Sequence, residues 1–301
     1  MDNTARIVRS LAFVPAHDPD EILAAADLGI DAIGLDLEDL TPASDKQRAR
    51  DEFRALAKEL DRRGVIVMAR ANGFENGWCE ADLEAIVCPE LHCVNIPKTE
   101  SADDVVRFCE ILSRAEKNQG LPDGYTWVRP VVETAAGVKW AYEIASASDR
   151  VAYMGGVSGG FWGDLGRSVG SILTDDGVES LFLRSKVLID VRTAGVRFPV
   201  GGGAIARRDP EAIRAFAEQN KHLGYTGVFT SPVAAIVDVV NDVFTPTAAE
   251  IEDWVKTVPI LEEAEAEDRV AFRVGDRMYD TAGLDRVRDQ LALARRLGLL
   301  R

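Results

Sequence analysis

Arg9-Ser10-Leu11-Ala12-Phe13-Val14-Pro15-Ala16-His17-Asp18 decides between the two folds that the rest of this chain permits. The apolar run 10–15 reads as a buried strand, and residues 20–28 behind it have helical spacing. In a doubly wound open sheet, the turn after such a first strand carries glycines that let a phosphate approach the backbone. Pro15-Ala16-His17-Asp18 carries none, which favours a parallel barrel. Further strand-like runs lie at 32–37, 65–71, 93–97, 127–133, 151–157, 196–200 and 227–230. Helical patterns at 44–62, 102–117, 136–146, 177–193 and 210–223 fall between them. Eight strands with helical crossovers predict an α/β fold, a TIM (β/α)8 barrel over residues 1–242. Residues 243–301 form a C-terminal helical extension: 247–258 and 282–297 look helical, and 271–278 a hairpin or strand. The extension is expected to pack on a neighbouring subunit or to cap the barrel. Its Ala/Leu/Arg-rich last helix is equally consistent with plain core packing.

The 301 residues suffice for one large core, and 47% hydrophobic with 28% charged residues is ordinary for a globular protein. A formal charge of −15 argues against a nucleic-acid or anionic-membrane partner. An anionic small substrate stays open, because a local arginine pocket overrides the global sign. Cys79, Cys88, Cys93 and Cys109 are separated by eight, four and fifteen residues with no C-x-x-C, so reduced thiols are expected rather than a zinc site. No signal-peptide pattern precedes the first strand, and no apolar run reaches the roughly 18 residues of a membrane span. The expectation is a soluble, cytoplasmic protein.

Residues at the carboxyl ends of barrel strands line the mouth where barrels do chemistry. Here they are Arg9 and Phe13 around strand one, Asp36, Glu38 and Asp39 from strand two, and Arg70 and Asn72 from strand three. Lys98, Glu133 and Ser158 follow from strands four, five and six. Acids beside an arginine and a lysine suit a reaction that develops negative charge on a small, oxygen-rich substrate. The arginine can hold a carboxylate or carbonyl oxygen in its fork, and a divalent cation can stabilise an enolate. Carboxylates at strand ends five and six would hold magnesium, but the second of these positions is Ser158, a neutral and weaker ligand. Blander roles compete. Glu133 could pair structurally with Arg129 or Lys98, Arg70 with Asp36 or Glu38, and Asp280 could cap the last helix. The glycines at 155, 156, 159 and 160 suit close backbone approach or a mobile loop.

Several motifs recur in order along the chain: Arg9 to Pro15, Leu35-Asp36-Leu37-Glu38-Asp39, Pro42-Ala43-Ser44-Asp45-Lys46 and Ala69-Arg70-Ala71-Asn72-Gly73. Ile96-Pro97-Lys98-Thr99-Glu100-Ser101, Val132-Glu133-Thr134-Ala135-Ala136-Gly137, Arg208-Asp209-Pro210 and Val243-Phe244-Thr245-Pro246 complete the set. This series resembles the HpcH/HpaI aldolase superfamily, in its citrate lyase β-subunit-like branch, over nearly the whole chain. The resemblance implies a barrel with a C-terminal extension, assembled as a homotrimer or a multiple of one such as a hexamer. It implies Mg²⁺-dependent cleavage or formation of a carbon–carbon bond beside a carboxylate, often on an acyl-CoA.

Carried over residue by residue, Arg70 matches the arginine on the substrate carbonyl, and Glu133 the first metal carboxylate. Asp280 matches the general acid or base delivered to a neighbouring subunit, Arg9 a position near the substrate or CoA entrance, and Asp39 a site-lining acid. Ser158 stands where the family's second metal aspartate is usual, and is left as a substrate contact or weak ligand. Further departures are Val200-Gly201-Gly202-Gly203-Ala204, where an acid is usual, and Thr230-Ser231-Pro232, where a histidine is usual. The expected activity is therefore that of a carbon–carbon lyase on a short hydroxy acid or its CoA thioester. The alternatives are a non-catalytic barrel that binds an acyl-CoA or organic acid, or the same scaffold running another reaction, such as thioester hydrolysis or a biosynthetic condensation.

Overall fold

Seven parallel strands form one curled sheet in the computed structural model, which describes residues 3–156, 164–172, 174, 176–203 and 209–300. They are β1 (Ser10–Pro15), β2 (Ala32–Asp36), β3 (Ile66–Arg70), β4 (Leu91–Ile96), β5 (Trp127–Pro130), β6 (Val200–Gly201) and β7 (Gly227–Phe229). Their order is β5-β4-β3-β2-β1-β7-β6. The gap between β5 and β6 is filled by residues 151–155. Val151 bridges Val128 and Gly155 bridges Val131, both in parallel. On the other side the Phe198 N–H donates to the Ala152 carbonyl at 3.3 Å. Eight staves thus close the ring, and the expected TIM-barrel class holds.

Two staves differ from their sequence patterns. Residues 151–157 were expected as a full strand, but only isolated bridges form, because Gly155 and Gly156 adopt φ of +142° and +65°, outside the β region. Residue 157 lies outside the described residues. Strand 196–200 is shortened to Val200–Gly201, since the Val196 N–H closes onto Val191 O instead and Pro199 has no amide to donate. The helix expected at 136–146 divides into Ala135–Lys139 and Ala141–Ala145 at Trp140, whose φ and ψ of −103° and 22° leave the helical region.

Alternation along the strands builds two layers. Ala12, Val14, Ile33, Leu35, Val67, Ala69, Val94, Ile96 and Val128 belong to the outer core, together with helical Ile22, Phe53, Leu60, Leu83, Phe108 and Ile144. The alternate set, which includes Phe13, Asp36, Arg70, Asn95 and Arg129, turns into the barrel. Gly34 permits this at one point, because a Cβ there would stand 2.3 Å from the Phe13 ring. Cys79, Cys88, Cys93 and Cys109 are all free thiols. No helix among the described residues is long and apolar enough to cross a membrane.

The chain divides into units Met1–Phe244 and Thr245–Arg301. The second begins with the helix Ala248–Ala266, whose capping box joins Thr247 and Glu250. This helix passes the expected end at 258, and through Pro259, because buried Leu261 and Ala264 continue its apolar face. An antiparallel hairpin of β8 (Ala271–Val274) and β9 (Arg277–Asp280) follows, then the helix Leu284–Arg296. Ile251, Leu291 and Ala294 form this unit's small core, with Trp254, Val258 and Val287 packed against it.

Candidate active site

The carboxyl ends of β2 and β3 are tied by one buried ion pair. Register sets Asp36 directly opposite Arg70. The Arg70 Nε donates to Asp36 Oδ1 at 2.9 Å, and Nη2 pairs with Oδ2. The same carboxylate accepts the Glu38 N–H at 2.8 Å and the Leu40 N–H at 3.2 Å, so it also shapes the loop that follows β2. Lys46 clamps that loop from behind, donating its buried Nζ to the carbonyls of Leu37 and Glu38. Asn72 does likewise from β3, donating to Leu37 O at 2.8 Å and to Asp82 Oδ2 at 2.6 Å.

Glu38 and Asp39 are thereby held over the mouth. Arg70 Nη1 lies 3.0 Å from Glu38 Oε2. This contact is an ion pair off the hydrogen-bond axis, and Oε2 is buried without a hydrogen bond. Lys98 Nζ donates to Glu38 Oε1 at 2.7 Å and lies 3.6 Å from Asp39 Oδ1. Lys98 follows β4 with a left-handed φ of 46°, which is uncommon for a side-chain-bearing residue. That turn aims its backbone N–H at Glu133 Oε1, 2.9 Å away. Arg70, Glu38, Asp39, Lys98 and Glu133 therefore form one connected charged rim across the ends of β2 to β5. A cavity of about 430 Å³ opens beside it, lined by Glu38, Asp39, Lys46, Lys98 and Arg107 among others.

Burial sets the protonation of this rim. It pushes the Glu38 carboxyl up, a rise that Arg70 and Lys98 only partly counter. Burial likewise raises Glu133, opposed by the Lys98 N–H and Arg70 and reinforced by the charges of Glu38 and Asp164. Burial alone would lower Arg70, but Asp36, Glu38 and Glu133 outweigh it and leave it firmly cationic.

The donor set can be weighed against a divalent cation. Glu133 is half-buried, one oxygen accepts an amide, and the other takes no hydrogen bond among the described residues. Neighbouring acids repel its charge, which a cation would relieve. Among the described residues no three His, Cys, Asp or Glu converge as a ready cage. Magnesium does not require such a cage, because it keeps water and substrate oxygens beside one or two carboxylates. The residues fit such an ion.

The expected site residues do not all come together. Arg70, Asp39 and Glu133 meet on the rim, and Phe13 lies just below it, its ring 4.8 Å from the Arg70 guanidinium. Arg9 does not join them. It precedes β1, and its guanidinium is locked on Asp31, just before β2, with Nη2–Oδ1 at 2.7 Å and Nε–Oδ2 at 3.0 Å. Its place is the amino end of the barrel, away from this rim. Ser158 lies outside the described residues. Asp164 opens the helix Asp164–Val169, pairs with Arg167 and faces Glu133 electrostatically. Asp280 ends β9 in the second unit, where it caps the turn by accepting the Ala282 N–H at 2.9 Å.

The model of the HpcH/HpaI aldolase/citrate lyase family matches residues 9–232. The chain belongs to that family. The citrate lyase subunit beta of Leuconostoc mesenteroides subsp. cremoris is 27% identical over 299 residues, covering 97% of this chain and 95% of the relative. A (3S)-malyl-CoA thioesterase of Cereibacter sphaeroides is 28% identical over 301 residues, covering 100% and 99%. Among solved structures, a citrate lyase from Burkholderia xenovorans LB400 has a TM-score of 0.72 at 17% identity, covering 98% of this chain and 93% of that one. CitE of Mycobacterium tuberculosis, in complex with magnesium, acetoacetate and coenzyme A, has a TM-score of 0.65 at 24% identity, covering 97% and 98%. These likenesses support the family's barrel fold.

For this HpcH/HpaI member the sequence signalled the rim acids but underweighted Glu38 and Lys98, both visible as strand-end residues. It missed Arg129. This fully buried arginine sits inside β5 rather than at its end, where attention to strand ends does not reach.

Proposed function

We propose that the protein is a carbon–carbon lyase acting on a short hydroxy acid or its CoA thioester. The observation that carries this is the rim itself: two proton-avid carboxyls, buried Glu38 and half-buried Glu133, held against two cations, Arg70 and Lys98. Breaking the bond beside a hydroxyl requires a base for the hydroxyl proton and positive charge for the enolate left behind. Arg70 is oriented by Asp36 through two of its nitrogens, leaving Nη1 in its loose contact with Glu38 as the donor for a substrate oxygen. Lys98 Nζ is the second such donor. Glu38 is placed to exchange a proton with the bound acid. Mg²⁺ on Glu133, completed by water and substrate oxygens, would supply Lewis-acid stabilisation of the enolate oxygen. The magnesium in the CitE complex supports this assignment. Acyl-CoA use is supported by the coenzyme A of that complex. The family resemblance supports a homotrimer or hexamer in which residues 243–301 pack on a neighbour and Asp280 acts as general acid or base there.

Thioester hydrolysis is the second reading, favoured by the malyl-CoA thioesterase that matches the chain end to end. Product analysis separates the two. Free hydroxy acids and their CoA thioesters are incubated with the protein and Mg²⁺ and followed by mass spectrometry. Release of an oxo acid or aldehyde with an intact acyl-CoA, lost in Glu133→Gln, is the expected result. Free CoA with an unbroken hydroxy acid selects hydrolysis. Turnover indifferent to Glu133→Gln would sink the assignment of that carboxylate.

A further inference from the structure

Arg129 is a fully buried guanidinium without a counter-ion. Its side chain points into the barrel below Glu133, and no carboxylate among the described residues lies within ion-pair distance. Only Nη1 is held, by Asn95 Oδ1 at 3.1 Å. The Phe229 ring lies against the guanidinium plane at 4.5 Å. Nε and Nη2 are buried with no hydrogen-bond partner among the described residues. Those two nitrogens form one edge of the guanidinium, the edge with which Arg70 grips Asp36 and Arg9 grips Asp31. Arg70 has thus already given its fork to the protein, while Arg129 has a whole fork edge unmet.

Leaving a buried cation this way is strongly unfavourable unless something answers it. A Cβ at position 156 would stand 2.8 Å from Nη2, so glycine alone leaves space beside this nitrogen. Gly156 itself is half-buried. The carbonyl oxygens of Val200 and Gly201 lie 3.4 and 3.8 Å from the same Cβ position, and neither carries a formal charge. A carboxylate meets a fork edge with two coplanar N–H···O bonds, and unlike a tetrahedral anion it carries no oxygens out of that plane toward the Phe229 ring and the Gly156 backbone.

We propose that Arg129 is a carboxylate-binding residue, whose Nε–Nη2 edge takes up a carboxylate of an organic acid entering past Gly156. That this acid is a substrate rests on the lyase reading above; that the edge takes a carboxylate does not. Malonate is the probe, titrated into the full-length protein in EDTA with ionic strength held by chloride, and read by calorimetry and thermal unfolding. Wild type should bind malonate saturably and more tightly than phosphate or sulfate. Arg129→Lys, which keeps the charge and loses the fork, should bind about tenfold or more weakly. Arg129→Met should lose the response and, without malonate, unfold at a higher temperature than wild type, because an unpaired buried charge is gone. No saturable response in wild type, phosphate binding tighter than malonate, or an unchanged affinity in Arg129→Lys would each overturn the assignment. Should Arg129→Met not fold, the lysine variant decides. Malonate binding is read without metal or turnover, so failure of the lyase reading leaves this result standing.

Discussion

Glu133 shows what one side chain of this rim trades. Burial holds its carboxyl above the ordinary range. The folded state therefore retains the proton to a higher pH than the unfolded chain does. Between those two pKa values the folded state binds more protons, so stability from this residue falls as pH rises and is fully present only below the unfolded value. Glu133→Gln removes the titration but can still accept the Lys98 N–H. Its melting temperature should match wild type in acid and exceed it by a few degrees at neutral pH, and added Mg²⁺ should narrow the gap by stabilising only wild type. A gap that is constant across pH would refute the raised carboxyl. At this scale the sequence was legible wherever a residue ended a strand. It brought Asp39, Glu133 and Arg70 to one mouth. It could not reveal that Asp36 occupies Arg70's fork, because that follows from the β2–β3 register. Nor could it reveal that two buried nitrogens of Arg129 take no hydrogen-bond partner among the described residues. Arg9 stands before, rather than after, its strand, and Asp31 holds its guanidinium there.

The element most affected by local backbone chemistry is the stave 151–155. Its apolar run promised a strand, and the run does lie in the sixth position of the ring. Its ladder ends because Gly155 turns to a φ of +142°, a region closed to side chains. A Cβ there would also meet Val200 O at 2.7 Å and the Tyr225 ring at 2.8 Å, the first of which is backbone and cannot swing aside. Gly155→Ala should destabilise by roughly 2–4 kcal/mol through strain and collision together. Hydrogen exchange would localise it: faster exchange should appear at β5, β6 and residues 151–155, with β2 and β3 kept protected. Uniform acceleration, or none, would argue against this stave as the ring's closing piece. Strand periodicity is readable because it comes from burial, whereas glycine φ is imposed by neighbours distant in sequence. The same reason explains β6, whose shortening depends on Val196 preferring the carbonyl of Val191.

On the scale of the whole molecule, the second unit exposes a hairpin that cannot be stable by itself. Val270, Val274 and Met278 are 65%, 45% and 57% exposed, and a lone two-stranded ribbon is marginal in water. Asp280 stands at its end, its side chain accepting the Ala282 N–H of the turn that follows. Both features make sense if, as proposed, a neighbouring subunit covers the ribbon and receives the aspartate. Light scattering should then give a mass that is a multiple of 32.8 kDa in steps of three chains. The sharing of a site between subunits has a more direct test. Glu133→Gln and Asp280→Asn are each expected to be inactive. If every site takes Glu133 from one chain and Asp280 from the next, reassociating equal amounts of the two variants rebuilds sites that carry both native residues. Random mixing restores about one quarter of wild-type turnover, because half of the sites keep Glu133 and half of those meet a native Asp280. Were both residues to act within one chain, no mixed assembly could contain an intact site, and turnover would stay at the level of the single variants.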